Sequence, residues 1–372
     1  MKKIKIMTVF GTRPEAIKMA PLVNELKSRD EIESIVCVTA QHRQMLDQVL
    51  NIFKIVPDYD LNIMKNNQSL ADITTRVLEN LDKIIKKVRP DIILVHGDTT
   101  TTFASSIAAF YNKVLVGHVE AGLRTYNKYS PYPEELNRQL TSVIADIHFA
   151  PTKNAKENLL DEGKKENSIF ITGNTAIDAL KTTIKEDYTH EIIKKLGNDK
   201  MILLTAHRRE NIGENMKNIF KSINRIVKDF DNIQVVYPIH LNPSVRSIAN
   251  KVFGTNKKIH LIEPLEILDF HNFMNKAYII MTDSGGIQEE APSLGTPVLV
   301  LRDNTERPEG VEAGALKLVG TKEDNIYKAA KDLITNKEKY EAMSNISNPY
   351  GDGNASKYIV DIIIRNFINK VR

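Results

Sequence analysis

The chain has 372 residues, 42% hydrophobic and 26% charged, which is the balance of a globular protein with room for two domains and excludes a disordered chain. Its net charge of +4, with Lys and Arg scattered among Asp and Glu, is too weak and dispersed for a nucleic-acid partner, although it suits a small anion. One cysteine, Cys37, excludes a disulfide framework or a zinc cluster within the chain and favours the cytoplasm, and no apolar run approaches transmembrane length.

Short apolar runs alternate with longer helical patterns. Met1-Lys2-Lys3 superficially resembles a signal-peptide start, but the apolar stretch that follows is short and stops at Gly11, so a first strand is predicted over Ile4–Phe10. Further strands are predicted at Ile35–Thr39, Asp91–Val95, Val114–Val119, Ile147–Ala150 and Ile169–Thr172. A second series follows at Met201–Thr205, Ile233–Tyr237, Ile259–Ile262, Tyr278–Met281, Pro297–Leu301 and Leu316–Val319. These runs are continuous and β-branched, as strands buried on both faces should be. Amphipathic helices lie between them. Ser69 caps one, with Asp72 three residues on, and its expected buried stripe is Leu70, Ile73, Val77, Leu81 and Ile84. The alternation predicts parallel, doubly wound sheets in two similar domains, over 1–178 and 179–354. The break falls in the polar stretch Asp178–Lys200. A final helix over 355–372 follows the Pro349–Gly353 turn and is a candidate to cross back to the first domain.

In open α/β sheets ligands bind beyond the carboxyl ends of the strands, and titratable groups recur there. Asp98 follows one predicted strand, Glu120 the next, and His207 and His240 follow two strands of the second series; Glu134 and Glu135 come from a Pro-rich loop. Taken singly, each also fits an N-cap, a salt bridge or a solvated loop. Together they are the kind of cluster that supplies general acids and bases. His96 with Asp98, or His118 with Glu120, are ligand pairs in isolation, but no His-rich helix or Cys pair completes a metal site.

Two turns are candidates for an anion. The segment Asp283-Ser284-Gly285-Gly286 follows a buried strand and opens a helix. Ser284, Gly285 and Gly286 can present backbone N–H groups there, and Glu289 or Glu290 can meet sugar hydroxyls. The alternative is a tight turn that needs glycine and binds nothing. The first turn, Gly11 to Lys18, offers Arg13 and Lys18, with Pro14 at a helix start and Pro21 expected to kink or restart that helix. It is neither a Walker A loop nor a G-x-G-x-x-G fingerprint, which argues against ATP and NAD. Arg307, after the strand Pro297–Leu301, is a further candidate.

These blocks in this order resemble the non-hydrolysing UDP-N-acetylglucosamine 2-epimerase family nearly end to end. The matching stretches are Phe10–Lys18, Thr39–Arg43, His96–Thr99, Gly117–Thr125, Pro133–Glu135, His207–Glu210, Asp283–Ala291 and Glu306–Glu309. The resemblance implies a glycosyltransferase-B-like architecture of two Rossmann-like domains with an interdomain cleft. It also implies reversible conversion of UDP-GlcNAc to UDP-ManNAc, supplying cell-surface polysaccharides, with no nicotinamide or other cofactor and no metal. The implied route is anti elimination of UDP to a 2-acetamidoglucal, then re-addition. On this reading Asp98, Glu120, Glu134 and His207 are catalytic. Arg13, Lys18, Phe270, Ser284, Gly285, Gly286, Glu290 and Arg307 contact substrate, with Glu290 on the ribose and Phe270 beside the uracil. Gln41, Gln44, Arg208 and His240 match an activating UDP-GlcNAc site, although some members carry Arg near Asn67; others carry Gln where this chain has Leu265. A homodimer is the family expectation. The same fold leaves two other readings open: a hydrolysing epimerase releasing ManNAc and UDP, and a UDP-sugar glycosyltransferase.

Overall fold

The computed structural model describes residues 3–40, 43–65 and 68–371. The chain divides into two compact units, Met1–Thr182 with Tyr350–Arg372, and Thr183–Pro349. The division falls after 182 and 349 instead of 178 and 354. Most of the helix Thr175–Thr183 stays with the first unit, and the carbonyl of Tyr350 accepts the backbone N–H of Asn174, which ties the chain to that unit from 350 on.

The first unit holds seven parallel strands: β1 (Ile4–Phe10), β2 (Ile32–Val38), β3 (Tyr59–Asp60), β4 (Ile92–His96), β5 (Leu115–Val119), β6 (Ile147–Ala150) and β7 (Ile169–Ile171), in the order β3-β2-β1-β4-β5-β6-β7. The second holds β8 (Lys200–Thr205), β9 (Ile233–Pro238), β10 (Ile259–Ile262), β11 (Ile279–Thr282), β12 (Val298–Val300) and β13 (Leu316–Leu318), ordered β10-β9-β8-β11-β12-β13 and also parallel. Both sheets therefore reverse direction once, between β1 and β4 and between β8 and β11. That reversal opens a crevice at the carboxyl ends of the flanking strands. The two-residue strand β3 is too short to leave a pattern in the sequence.

Burial on both faces explains the unbroken apolar runs. On β1, Ile6 and Phe10 join one core layer while Met7 and Val9 join the other; on β4, Ile92 and Leu94 face one way and Ile93 and Val95 the other. The final helix, Ala355–Val371, packs Ile359, Val360 and Ile363 into the layer that also holds Met19, Leu22 and Leu26 of the helix Arg13–Lys27. Asp178 receives the backbone N–H groups of Ala355 and Ser356 and so caps that returning helix. Cys37 is buried in β2, where desolvation lifts its thiol to about 12 and makes it inert.

Several local expectations are corrected. The helix Leu70–Val88 buries Ile73, Val77, Leu81 and Ile85, a strict four-residue spacing that keeps one face inward; Leu70 is exposed and Ile84 only partly covered. The helix Arg13–Lys27 continues through Pro21. There the ring removes one N–H from the ladder, while a capping box at the start and burial along the helix hold the rest. Glu134 and Glu135 open the helix Glu134–Ile144 and do not lie in a loop. No helix among the described residues is long and apolar enough to cross a membrane.

Candidate functional site

In the first unit the carboxyl ends of β1, β4 and β5 carry an acid–base cluster. Glu120 stands immediately after β5 with φ +61°, a left-handed conformation that a glutamate adopts only when its surroundings enforce it. One enforcing contact is an ion pair: Lys18 Nζ lies 2.5 Å from Glu120 Oε2. Asn174 Nδ2 donates to the same oxygen at 2.9 Å, and His96 Nε2 lies 3.7 Å away. The Glu120 side chain is 11% exposed. His96 is fully enclosed, and desolvation lowers it to about 4, so at neutral pH its ring is uncharged beside the Lys18–Glu120 pair.

Asp98 lies in the turn after β4. Its side chain keeps 32% exposure, yet it is set among dense protein, and desolvation raises its carboxyl to about 6. The neighbouring guanidinium of Arg138, 3.0 Å away, opposes that rise; the charges of Glu120 and Glu134 reinforce it. A carboxyl near 6 is mostly ionised at neutral pH yet keeps roughly a tenth of its population protonated, so one group can both take and return a proton. Arg138 also lies 3.5 Å from Glu135, so it ties Asp98 to the start of the helix Glu134–Ile144. Glu135 itself is buried and accepts from the backbone N–H groups of Thr125 and Tyr126 at 3.0 Å each, which holds the preceding loop. Of the two adjacent glutamates, only Glu134 is partly exposed.

The first turn is closed from within. The N–H groups of Gly11 and Thr12 donate to Glu15 Oε2 at 3.0 and 2.7 Å, and Glu15 Oε1 receives the Thr99 hydroxyl at 2.6 Å. These backbone donors are thus committed inside the protein. Lys18 points to Glu120, while Arg13 is half-buried and makes no ion pair among the described residues. Gly11 is required here, since a Cβ would lie 1.9 Å from Thr39 Oγ1.

In the second unit the ends of β8 and β11 carry a different set. Asp283, fully buried after β11, accepts through Oδ2 from the backbone N–H of His207 and of Arg208 at 2.9 Å each and from Asn211 Nδ2 at 3.0 Å. The His207 ring is 41% exposed and stacks on His240, with ring centroids 5.4 Å apart and planes 10° apart. Burial lowers the His207 pKa, against the pull of Asp283. Arg208 reaches Glu306 at 3.6 Å, and Glu306, paired with Arg302 at 2.7 Å, is held down at about 2.

The helix Gly285–Glu290 follows, with Ser284 at its N-cap. The N–H of Ser284 donates to Thr282 Oγ1, which leaves the N–H groups of Gly285 and Gly286 at the open turn. The Arg307 guanidinium lies over that turn: a Cβ on Gly285 would sit 3.3 Å from its Cζ. Glu289 fixes this arginine through a 2.7 Å bond to Nε and is 4% exposed. Glu290 is 15% exposed and lies 3.7 Å from His271, whose Nδ1 meets the Thr183 hydroxyl at 2.6 Å. Phe270, half-buried, precedes His271 on the helix Ile267–Lys276. The two glutamates therefore divide their work: Glu289 holds Arg307 and Glu290 remains beside the turn.

A family model described as UDP-N-acetylglucosamine 2-epimerase matches residues 24–364. The chain belongs to the UDP-N-acetylglucosamine 2-epimerase family. Members of this family are isomerases acting on a nucleotide sugar. The chain is 67% identical over 367 residues to the Bacillus subtilis UDP-N-acetylglucosamine 2-epimerase, covering 99% of this chain and 97% of that protein. It is similar to a solved S. aureus protein in a co-structure with UDP, at 57% identity, TM-score 0.88 and coverage of 99% and 97%. It is also similar to the Neisseria meningitidis enzyme bound to UDP-GlcNAc, at 55% identity, TM-score 0.86 and coverage of 97% and 100%. The two parallel-sheet α/β units are those of a glycosyltransferase-B-like fold.

Against the expected epimerase residues, the structure brings Asp98, Glu120, Glu134 and Lys18 together in the first unit. It groups His207, Arg208 and His240, and separately Ser284, Gly285, Gly286, Glu290 and Arg307, in the second. Gln41 and Asn67 lie outside the described residues, and so does the side chain of Gln44. His118 turns its Nε2 to the carbonyl of Gly97 at 2.7 Å, and among the described residues no group of three or more His, Cys, Asp or Glu can hold a metal ion. Sequence reasoning gave no role of their own to Glu15, Arg138, Asn174 and Asp283. The Thr12-x-x-Glu15 capping box was the one available signal; Asn174 and Arg138 join their partners only through the fold.

Proposed function

We propose that this chain interconverts UDP-GlcNAc and UDP-ManNAc by inverting C2 of the sugar. The route is anti elimination of UDP to a 2-acetamidoglucal, followed by re-addition. Family membership supports the substrate class. The observation that carries the mechanism is the Asp98 carboxyl raised to about 6 beside the Lys18–Glu120 ion pair, at the carboxyl ends of adjacent strands. Moving the C2 proton off one face and onto the other requires two acid–base groups, one for each face, and Asp98 and Glu120 are the carboxyls proposed for them. Glu134, at the start of its helix, contributes a third carboxyl to the same field.

The leaving diphosphate is assigned to the open turn at Gly285 and Gly286 under Arg307, the ribose to Glu290 and the uracil to the neighbourhood of Phe270. Arg13 supplies further positive charge. UDP must be retained until re-addition, because recapture of lost nucleotide is bimolecular and slow. The working form is proposed as a cytoplasmic homodimer that supplies a cell-surface polysaccharide. UDP-GlcNAc acts as its own activator through Gln41, Gln44, Arg208 and His240. Hyperbolic kinetics with UDP-ManNAc alone, unaffected by added UDP-GlcNAc, would remove the activator role.

The decisive experiment is proton NMR of the protein with UDP-GlcNAc in D2O. UDP-ManNAc carrying deuterium at C2 is the expected product. Free ManNAc with UDP would replace this reading with hydrolysis. Unchanged UDP-GlcNAc that still binds would replace it with a transferase or a binding protein.

A further inference from the structure

We infer that Asp283 is a positioning residue that sets the tautomer of His207, and that epimerisation depends on that tautomer; this rests on the function proposed above. The two oxygens of Asp283 do different work. Oδ2 receives three donors, the backbone N–H of His207, the backbone N–H of Arg208 and Asn211 Nδ2, all within 2.9 to 3.0 Å. Among the described residues Oδ1 of this fully buried carboxylate has no hydrogen-bond partner, and His207 Nδ1 lies 3.5 Å from it. A buried carboxylate oxygen without a donor is costly, so the proton that best relieves it is one on Nδ1. With Nδ1 protonated, Nε2 carries the lone pair of a ring that is 41% exposed, and it can accept a proton. Catalytic hydrogen bonds in ligand-free proteins are often long and tighten when substrate binds.

The charges around His207 are compatible with this role. His240 stacks on the ring and Arg208 is adjacent in the chain, but the Arg208 guanidinium turns to Glu306 and Glu210. Arg302 is paired with Glu306 and lies near Glu210, and the Tyr237 hydroxyl donates to the carbonyl of Ala206. Among the described residues Asp283 is therefore the one anion within 4 Å of a His207 ring nitrogen. A structural purpose for Asp283, anchoring the loop after β8, is met by Oδ2 alone. The unshared Oδ1 is what the anchoring role leaves unexplained.

The variant Asp283→Asn separates the two roles. Three donors converge where Oδ2 stands, so the amide oxygen must take that position and the amide NH2 must face His207 Nδ1. The loop stays anchored, while His207 is forced to accept at Nδ1 and to carry its proton on Nε2. Where a histidine is catalytic, an imposed wrong tautomer lowers kcat by up to about 10,000-fold.

The test uses the full chain labelled with 15N-histidine, the His207 signals being assigned by their loss in His207→Gln. Long-range 1H–15N spectra should give the Nδ1–H tautomer in the unsubstituted protein and the Nε2–H tautomer in Asp283→Asn. Turnover of UDP-GlcNAc should fall at least about 100-fold in Asp283→Asn with KM within about threefold, and should not recover at any pH between 6 and 9. As a control for anchoring alone, Asn211→Ala should lower the melting temperature yet keep the Nδ1–H tautomer. An Nε2–H tautomer in the unsubstituted protein, or Asp283→Asn turning over within about threefold of it, overturns the inference. If the unsubstituted protein makes no UDP-ManNAc, the functional reading fails on its own account, and the inference falls with it even where the spectra reveal the expected pair.

Discussion

The two units share one strand order but treat their switch points in opposite ways. In the first, the backbone donors after β1 are closed off by Glu15, which takes the N–H groups of Gly11 and Thr12, and charge is presented by side chains: Lys18, Glu120 and Asp98. In the second, the buried carboxylate comes from the far side of the reversal. Asp283, after β11, takes the N–H groups of the loop after β8 and leaves the glycine turn at 285–286 open. Each unit thus satisfies one loop with an internal carboxylate. What differs is which loop is satisfied, and that decides where titratable groups gather and where backbone donors remain. A fold repeated twice becomes two chemistries through the placement of one buried acid.

The comparison is tested most severely in the acid–base unit. Asp98→Asn and Glu120→Gln each keep side-chain shape and remove a charge. Each should lower kcat about 100- to 10,000-fold while UDP binding, measured by calorimetry, stays within severalfold. Retained turnover would mean that the raised carboxyl of Asp98 serves the fold only. Next in size is Glu15→Ala, which orphans two buried backbone donors and two hydroxyl contacts. It should cost about 2–4 kcal/mol in chemical unfolding.

A third effect is pH-dependent. Burial holds His96 and His148 at about 4 and His118 at about 3. In the unfolded chain each takes a proton near 6.5, while the folded protein refuses it until far lower, so the unfolded state binds more protons across that window. Stability should therefore fall as pH drops below about 6.5, by about 1.4 kcal/mol per unit for each histidine. Asp98 works the other way. Its folded pKa of about 6 lies above the ordinary 3.8, so it favours the folded state most at low pH and loses that contribution as pH rises through 6. Three histidines outweigh one aspartate, and melting temperatures from pH 7.5 to 5 should fall; His118→Gln should flatten the slope. The smallest effect is expected in the nucleotide unit. In Gly285→Ala the new methyl meets the Arg307 guanidinium at 3.3 Å, which a shift of a few tenths of an ångström relieves without breaking its bond to Glu289, so UDP affinity should weaken only severalfold.

Much of this architecture can be read in the residues alone. Twelve of the strands announce themselves as apolar runs because both sheet faces are covered, and β3 does not because two residues carry no periodicity. The acidic candidates were legible from their position after strands. Their partners were not: Asn174 meets Glu120 from 54 residues away, and Arg138 meets Asp98 from a helix whose start had the look of a loop. In the first turn Glu15, three residues beyond Thr12, reaches back and occupies the backbone donors, a contact that the anion reading of Arg13 and Lys18 did not include. Of the two acids Glu289 and Glu290, sequence offered no way to tell which would be bound to Arg307.

What the sequence determined by itself was the type and order of the elements, the two-domain repeat and the kinds of groups at the strand ends. These follow from local rules, hydrophobic period and turn chemistry, that act over a few residues. What only the tertiary structure decided was which acid is anchored and which is poised. Asp98 near 6, Glu120 clasped by Lys18, and Asp283 with one oxygen satisfied and the other facing His207 all depend on burial and on donors brought in across the fold. Proton affinity is set by desolvation and by neighbours in space, and neither is written in the order of residues along the chain.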